Sequence, residues 1–326
     1  MDVLVVGCGI LGKRHINTLL NIKTIENILI YTKVKDCLEE FTKKKVLKVV
    51  SDISDINVDF AIIANETHKH LETAIILAEQ GINLFIEKPL SHNLKKVDVL
   101  KKIVEEKKVH VFVAYNMRFL GAMRYIKEQI SQKVLGNLYF SKIEVGQYLP
   151  FWRTGRDYRE SYSAHYEKGG GVALDLSHEV DYMRFLFGDP YYWKTIQTKV
   201  SDLEINACDL FEGIYQYKSG FVCNVHADYL QRDEIRNIRL VGRDRTLICN
   251  FINKSIMISN SDKKHKNSIP IYINDEKIFD IKQTYHDELV HFAECVTQGI
   301  EAVITLDDGI QALKLLEDGE RYKYCK

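Results

Sequence analysis

The sequence predicts an α/β protein, with an N-terminal doubly wound parallel sheet followed by an α+β domain that carries a large, open, mostly antiparallel sheet. Three observations predict it. Through residue 115, short apolar runs rich in β-branched residues alternate with longer amphipathic stretches. From Tyr191 to Ile273, strand-like segments follow one another with no helical pattern between them. The 326 residues also suit two domains of ~100–200 residues each better than one core.

In order, Val3–Val6, Ile28–Tyr31, Val46–Val50, Phe60–Ala64, Leu84–Ile86 and Val109–Ala114 read as strands. Apolar runs without alternation belong to strands covered on both faces. Ile10–Leu20, His70–Gly81 and Leu94–Lys107 place apolar residues at helical spacing, with Gly81 as a stop. After Asn116 a helix over Gly121–Lys133 ends at Gly136, and the strand Leu138–Val145 follows. An aromatic, arginine-rich loop leads to Gly169–Gly171 and a helix running to Gly188. Turn signals at Lys218-Ser219-Gly220 and Gly242-Arg243-Asp244 separate the later strands. Helices over Tyr285–Gln298 and Leu306–Glu317 close the chain.

Composition narrows the function classes. With 46% apolar and 28% charged residues, the chain is neither disordered nor collagenous. Forty-five basic residues balance 45 acidic ones, so net charge gives no argument for nucleic acid or a membrane surface. The seven cysteines (8, 37, 208, 223, 249, 295, 325) are odd in number, scattered and free of C-x-x-C. That favours free thiols over a disulfide framework or a zinc site. No signal-peptide pattern, no apolar run of ~18 residues and no repeat of ~20–50 residues occurs, so a cytoplasmic, non-membrane protein is expected.

Gly7-Cys8-Gly9-Ile10-Leu11-Gly12 follows a strand and opens a helix. The first glycine permits a tight turn, the second lets backbone approach a pyrophosphate, and the third lets helix and strand pack closely. The helix start offers N–H groups and partial positive charge to phosphates. Cys8 reads as a small residue packed beside them. At the end of the second strand, where an acid would take a ribose 2′-OH, the sequence has Thr32-Lys33, with no acid before Asp36. Those residues tolerate or attract a 2′-phosphate, so NADP is favoured slightly over NAD.

Three further stretches carry a resemblance: Glu87-Lys88-Pro89 after the fifth strand, Asn116-Met117-Arg118-Phe119 after the sixth, and Gly169-Gly-Gly-Val-Ala-Leu-Asp175-Leu-Ser-His178-Glu-Val-Asp181. In this order they resemble the glucose-fructose oxidoreductase / inositol dehydrogenase (Gfo/Idh/MocA) family, from Val3 to about Leu316. The resemblance implies a Rossmann domain, placed at 1–118, and a substrate-binding and oligomerisation domain, placed at 119–326. It also implies a homodimer or homotetramer, and reversible hydride transfer between nicotinamide and a sugar-like carbon. Carried over, the catalytic trio is Lys88, Asp175 and His178. Cofactor contacts fall to Gly7, Gly9, Ile10, Leu11, Gly12, Thr32, Lys33, Ala64, Asn65, His70, Glu87, Lys88 and Asn116. Asp175 and His178 are three residues apart where the family usually has four; either spacing sets both on one face of a helix, and Glu179 competes for the histidine's place. His15, three residues after the glycine turn, reads as structural, and no metal site is expected.

The chemistry needs these types. Oxidising a secondary alcohol removes a proton from oxygen as hydride leaves carbon, so a base must reach that hydroxyl. Histidine, with an ordinary pKa near ~6.5, suits the task, and a lysine can polarise the same oxygen or act as base if buried. Asp175 would orient the histidine or hold the substrate. The loop before the helix offers Trp152 as a flat face, and Arg153, Arg156 and Arg159 as planar forks for phosphate or carboxylate, with Tyr158 beside them. Pairing of those arginines with Asp157 and Glu160 on a solvated loop is the equal alternative. By resemblance, W-R…D-Y-R with D-L-S-H-E implies a sugar nucleotide or sugar phosphate of bacterial surface-glycan or amino-sugar biosynthesis. An enzyme that retains NAD(H) for isomerisation or bond cleavage, and a non-catalytic dinucleotide sensor, are the competing readings.

Overall fold

The computed structural model describes residues 1–33, 41, 46–152, 155–260, 270–317 and 320–321. The chain divides into two compact units. One comprises Met1–Asn116 with Lys282–Leu313; the other comprises Met117–Ile281 and the chain from Lys314 on. The first unit thus takes in a C-terminal stretch that a single cut at residue 118 would leave out.

In the first unit, β1 (Asp2–Val6), β2 (Asn27–Tyr31), β3 (Val46–Val50), β4 (Phe60–Ile63), β5 (Asn83–Ile86) and β6 (Val111–Val113) form one sheet in the order β3-β2-β1-β4-β5-β6. Every pairing is parallel. Helices α1 (Ile10–Leu19), α2 (His70–Glu79) and α3 (Val97–Lys107) are the crossovers. Burial explains the unbroken apolar strands: Val3, Leu4 and Val5 and all of Phe60–Ile63 have no exposed surface. Helix α3 starts at Val97, three residues later than the periodicity predicts, because Lys96 takes a left-handed backbone with φ 64°. The helix over Tyr285–Gln298 begins earlier, as α7 (Ile281–Gln298), and from Lys282 on it belongs to this unit. There Phe292 packs against Phe60, Phe85 and Phe112.

In the second unit, α5 (Val172–Asp175) and α6 (His178–Phe187) lie on a sheet of nine strands, and α4 (Gly121–Ser131) packs against α6. The strands are β7 (Leu138–Gly146), β8 (Tyr192–Thr198), β9 (Leu210–Gln216), β10 (Val222–Asp228), β11 (Ile235–Gly242), β12 (Arg245–Asn250), β13 (Ser255–Asn260), β14 (Ile271–Ile273) and β15 (Glu320–Arg321). Their order is β14-β13-β12-β11-β7-β10-β9-β8-β15. Most pairs are antiparallel, as the helix-free strand run predicts, but β7–β10 and β8–β15 are parallel.

The side chains divide by parity. Ile143 and Val145 on β7, Phe211 and Tyr215 on β9, and Cys223, Val225 and Ala227 on β10 are buried. The opposite face shows Phe140, Tyr192, Ile196 and Ile214, each about half exposed. On that face His226 is clamped by Glu212 at 2.6 Å and Asp228 at 2.8 Å, and these bonds raise its pKa to about 9. Cys223, Cys249 and Cys295 are buried free thiols.

Candidate active site

In the first unit the cofactor region lies where the strand order reverses, between β1 and β4, the position at which open α/β sheets bind dinucleotides. Gly7 has φ 101°, and a Cβ there would meet Ala64 O at 2.6 Å and Asn65 N at 2.8 Å. A Cβ on Gly12 would collide with Gly7 O, yet one on Gly9 would meet nothing within 4 Å. Two glycines therefore seal the turn with backbone, and the middle one leaves open space in front of α1. That helix has no side-chain cap and no acid in its first turn, so its N–H groups are available to an anion. Asn65 adds a buried side-chain oxygen without a hydrogen-bond partner. The residues fit a dinucleotide. Thr32 follows β2 half-buried and Lys33 is exposed; Asp36 lies outside the described residues.

Lys88 leaves the carboxyl end of β5 with its flanks fixed on both sides. Glu87 is buried, accepting the Lys88 N–H at 3.1 Å and meeting His15 Nε2 at 2.6 Å. Burial opposes the Glu87 charge, but the His15 hydrogen bond and nearby positive charge outweigh it and hold the carboxyl below its usual pKa. Pro89 O lies 2.9 Å from His70 Nδ1, whose other ring nitrogen is 3.1 Å from Asn65 O. Burial pushes the His70 pKa down. Three of the expected cofactor contacts make side-chain bonds within the protein. The side chains of Glu87 and His70 turn inward to backbone and His15, and Asn116 is buried with its amide donating to Thr284 Oγ1 at 2.7 Å. Each is a buried polar group satisfied within the protein, as burial requires.

Glu288 on α7 is an exception. It has no exposed surface, and neither carboxylate oxygen has a hydrogen-bond partner. Burial first, then the charge of Glu87, raises its pKa well above the carboxylate range. The folded protein keeps this proton after the unfolded chain has lost it, so wild-type stability falls as pH rises above ~4.5, by at most about 1.4 kcal/mol per pH unit. Glu288→Gln is expected to raise Tm by an increment that grows between about pH 5 and about pH 8. A constant or shrinking increment in a melting series would show that Glu288 is ionised.

The second unit holds Asp175 and His178. In place of the single helix that the spacing predicts, α5 ends at Asp175, Leu176 leaves helical geometry (ψ 34°), and α6 starts at His178. The same-face argument for the pair is therefore corrected. Separate anchors hold the two sides of the break. Asp175 is buried and accepts from Tyr229 Oη at 2.6 Å. On α6, Arg118 grips Asp181 with contacts of 2.7–3.2 Å, and Arg236 Nε donates to Glu179 at 2.8 Å, with Tyr182 donating to the same oxygen at 3.1 Å. Glu179 has no exposed surface and takes both bonds on Oε1, while its buried Oε2 has no hydrogen-bond partner; His178 is half-buried.

The loop gives a mixed result. Trp152 is not a bare platform, since its ring packs edge-on to Tyr229 at 5.2 Å and its Nε1 donates to Gln147 O at 3.3 Å. The Tyr158 hydroxyl accepts from Glu204 N–H at 3.2 Å. Arg159 is spent on Asp157 and Glu204, whereas Arg156 is exposed with no ion pair among the described residues. Arg153 lies outside the described residues. Tyr229, Arg236 and the Glu87–His15 pair gave no sequence signal, because each meets its partner 54, 57 and 72 residues away.

Comparison with known proteins assigns both parts of the chain. Residues 1–115 match the oxidoreductase family's NAD-binding Rossmann fold, and residues 127–319 match its C-terminal alpha/beta domain. The chain belongs to the Gfo/Idh/MocA oxidoreductase family. Among its relatives, the myo-inositol 2-dehydrogenase of Thermotoga maritima is 24% identical over 331 residues, covering 97% of this chain and 94% of that protein. A levoglucosan dehydrogenase solved with NADH and levoglucosan superposes with a TM-score of 0.82 at 18% identity, covering 97% and 95%. The WlbA dehydrogenase of Bordetella pertussis, solved with NADH and UDP-GlcNAcA, gives 0.81 at 19%, covering 97% and 93%. This Gfo/Idh/MocA member is thus an NAD-binding oxidoreductase. No helix among its described residues is long and apolar enough to cross a membrane.

Proposed function

We propose that this protein transfers hydride between nicotinamide and a secondary hydroxyl or keto carbon of a sugar. The observation that carries the reading is the glycine turn, closed by backbone at Gly7 and Gly12 and open at Gly9. The dinucleotide, when bound, accepts or supplies the hydride. Lys88 polarises the substrate oxygen, His178 takes or returns the hydroxyl proton, and Asp175 orients the reacting groups. A sugar nucleotide or sugar phosphate is favoured over a free polyol. Support comes from Arg156, exposed and without an ion pair among the described residues, and from the UDP-GlcNAcA in the WlbA structure. Thr32-Lys33 after β2 supports NADP over NAD.

The test is reduced-nicotinamide absorbance with both oxidised cofactors and a panel of myo-inositol, levoglucosan, glucose 6-phosphate and UDP-GlcNAcA. Turnover confined to the last two, faster with NADP, is the expected result. Turnover of the free sugars alone would end the role given to Arg156, and faster turnover with NAD would end the cofactor preference. We also read the open sheet face, with its exposed Tyr192, Ile196 and Ile214, as the surface on which copies of the chain pair as a homodimer or homotetramer. A monomer in light scattering at micromolar concentration would refute that.

A further inference from the structure

Tyr229 follows the last residue of β10 and keeps the inward parity of Cys223, Val225 and Ala227. Its side chain has no exposed surface, and its hydroxyl lies 2.6 Å from Asp175 Oδ2. Its backbone is held as well: Tyr229 N donates to Asp209 O at 2.9 Å, and Tyr229 O accepts from Leu149 N at 3.0 Å. The ring meets Trp152 edge-on at 5.2 Å. One residue thus touches the carboxylate assigned to the reaction, the start of the aromatic loop and the loop's tryptophan.

Helix α5 is a single turn ending at Asp175, and Leu176 departs from helical geometry directly after it. So short an element cannot by itself fix a side chain at its last position. A buried carboxylate also needs donors, and a hydroxyl donating to it makes a short, charge-assisted bond. Burial, then the Asp175 charge, raises the Tyr229 pKa well above that of an ordinary phenol. The tyrosine therefore stays a donor across the working pH range and takes no proton from the substrate.

We propose that Tyr229 is a positioning residue for the hydride-transfer reaction, fixing the Asp175 carboxylate through its hydroxyl and tying it to the Trp152 loop. This rests on the reading above in giving Asp175 a part in the reaction. The test compares Tyr229→Phe, Asp175→Asn and the double variant, assayed with whichever of the four panel sugars the wild type turns over fastest. Loss of the hydroxyl removes the bond that orients the Asp175 carboxylate. Tyr229→Phe is therefore expected to lower kcat/KM by roughly 10- to 100-fold, through kcat more than through the sugar KM, and to leave the cofactor KM unchanged. In the Asp175→Asn background the same change is expected to cost nothing further. A loss carried by the sugar KM with kcat unchanged, or an undiminished loss in that background, would overturn the proposal and leave Tyr229 as packing alone. Normal activity in Asp175→Asn would instead overturn the assignment of Asp175 itself.

Discussion

Alanine at Lys88 is expected to lower kcat by about 10³-fold or more while the affinity for reduced cofactor, followed by nicotinamide fluorescence, stays within about twofold. The expectation rests on how the lysine is mounted. Glu87 holds the Lys88 N–H, and the next carbonyl, Pro89 O, sits against His70, so truncating the side chain leaves the strand end where it was. The glycine turn is built from other residues and keeps its shape. What the variant loses is a positive charge on a flexible stem, which serves the transition state more than the ground state. Arginine should not restore it, since a planar, always-charged fork neither matches the ammonium geometry nor can give up its proton. His178→Ala is expected to fall by about 10²–10⁴-fold, the usual worth of a positioned acid or base. Either variant retaining turnover within tenfold of wild type would remove that residue from the chemistry.

The first unit was largely readable from sequence because its strands are covered on both faces. Val3–Val6 and Phe60–Ile63 have no solvent-facing positions to fill with polar residues, so the apolar runs coincide with the strands. The glycine turn was readable for a different reason, as backbone crowding at Gly7 and Gly12 tolerates no other residue. What stayed hidden was long-range. Nothing in residues 282–298 announces that Phe292 returns to Phe60, Phe85 and Phe112. The break between Asp175 and His178 was hidden too, since Val-Ala-Leu-Asp-Leu-Ser-His-Glu-Val reads as continuous helix and only the separate anchors on either side reveal the interruption. For Glu87, His70 and Asn116, nothing in the sequence marked their partners His15, Pro89 O and Thr284, which lie 72, 19 and 168 residues away.

Arg236→Met is expected to destabilise the protein by about 3–5 kcal/mol, the cost of leaving a buried charge without its partner. Glu179 has no exposed surface, and besides Arg236 only the neutral Tyr182 hydroxyl donates to it among the bonds seen here. Removing the guanidinium leaves that carboxylate in the core without its opposite charge, which is costly. The double variant Arg236→Met with Glu179→Leu is expected to recover most of the loss, because two apolar side chains of similar bulk replace the pair without an orphaned charge. Denaturant unfolding of the three variants decides the matter through a coupling of about 2 kcal/mol or more. Additive losses would mean that the pair is not mutually dependent. The consequence for function follows from position: Glu179 is the second residue of α6 and His178 the first. A helix that loses its Arg236 anchor leans harder on the Arg118–Asp181 pair in that turn, and the histidine's placement then loosens. Single Arg236→Met should therefore lower kcat at temperatures where it is still folded, and the apolar double variant should regain stability more fully than it regains turnover. A double variant with full turnover would show that packing alone places His178, and that the ion pair contributes nothing specific to the catalytic geometry.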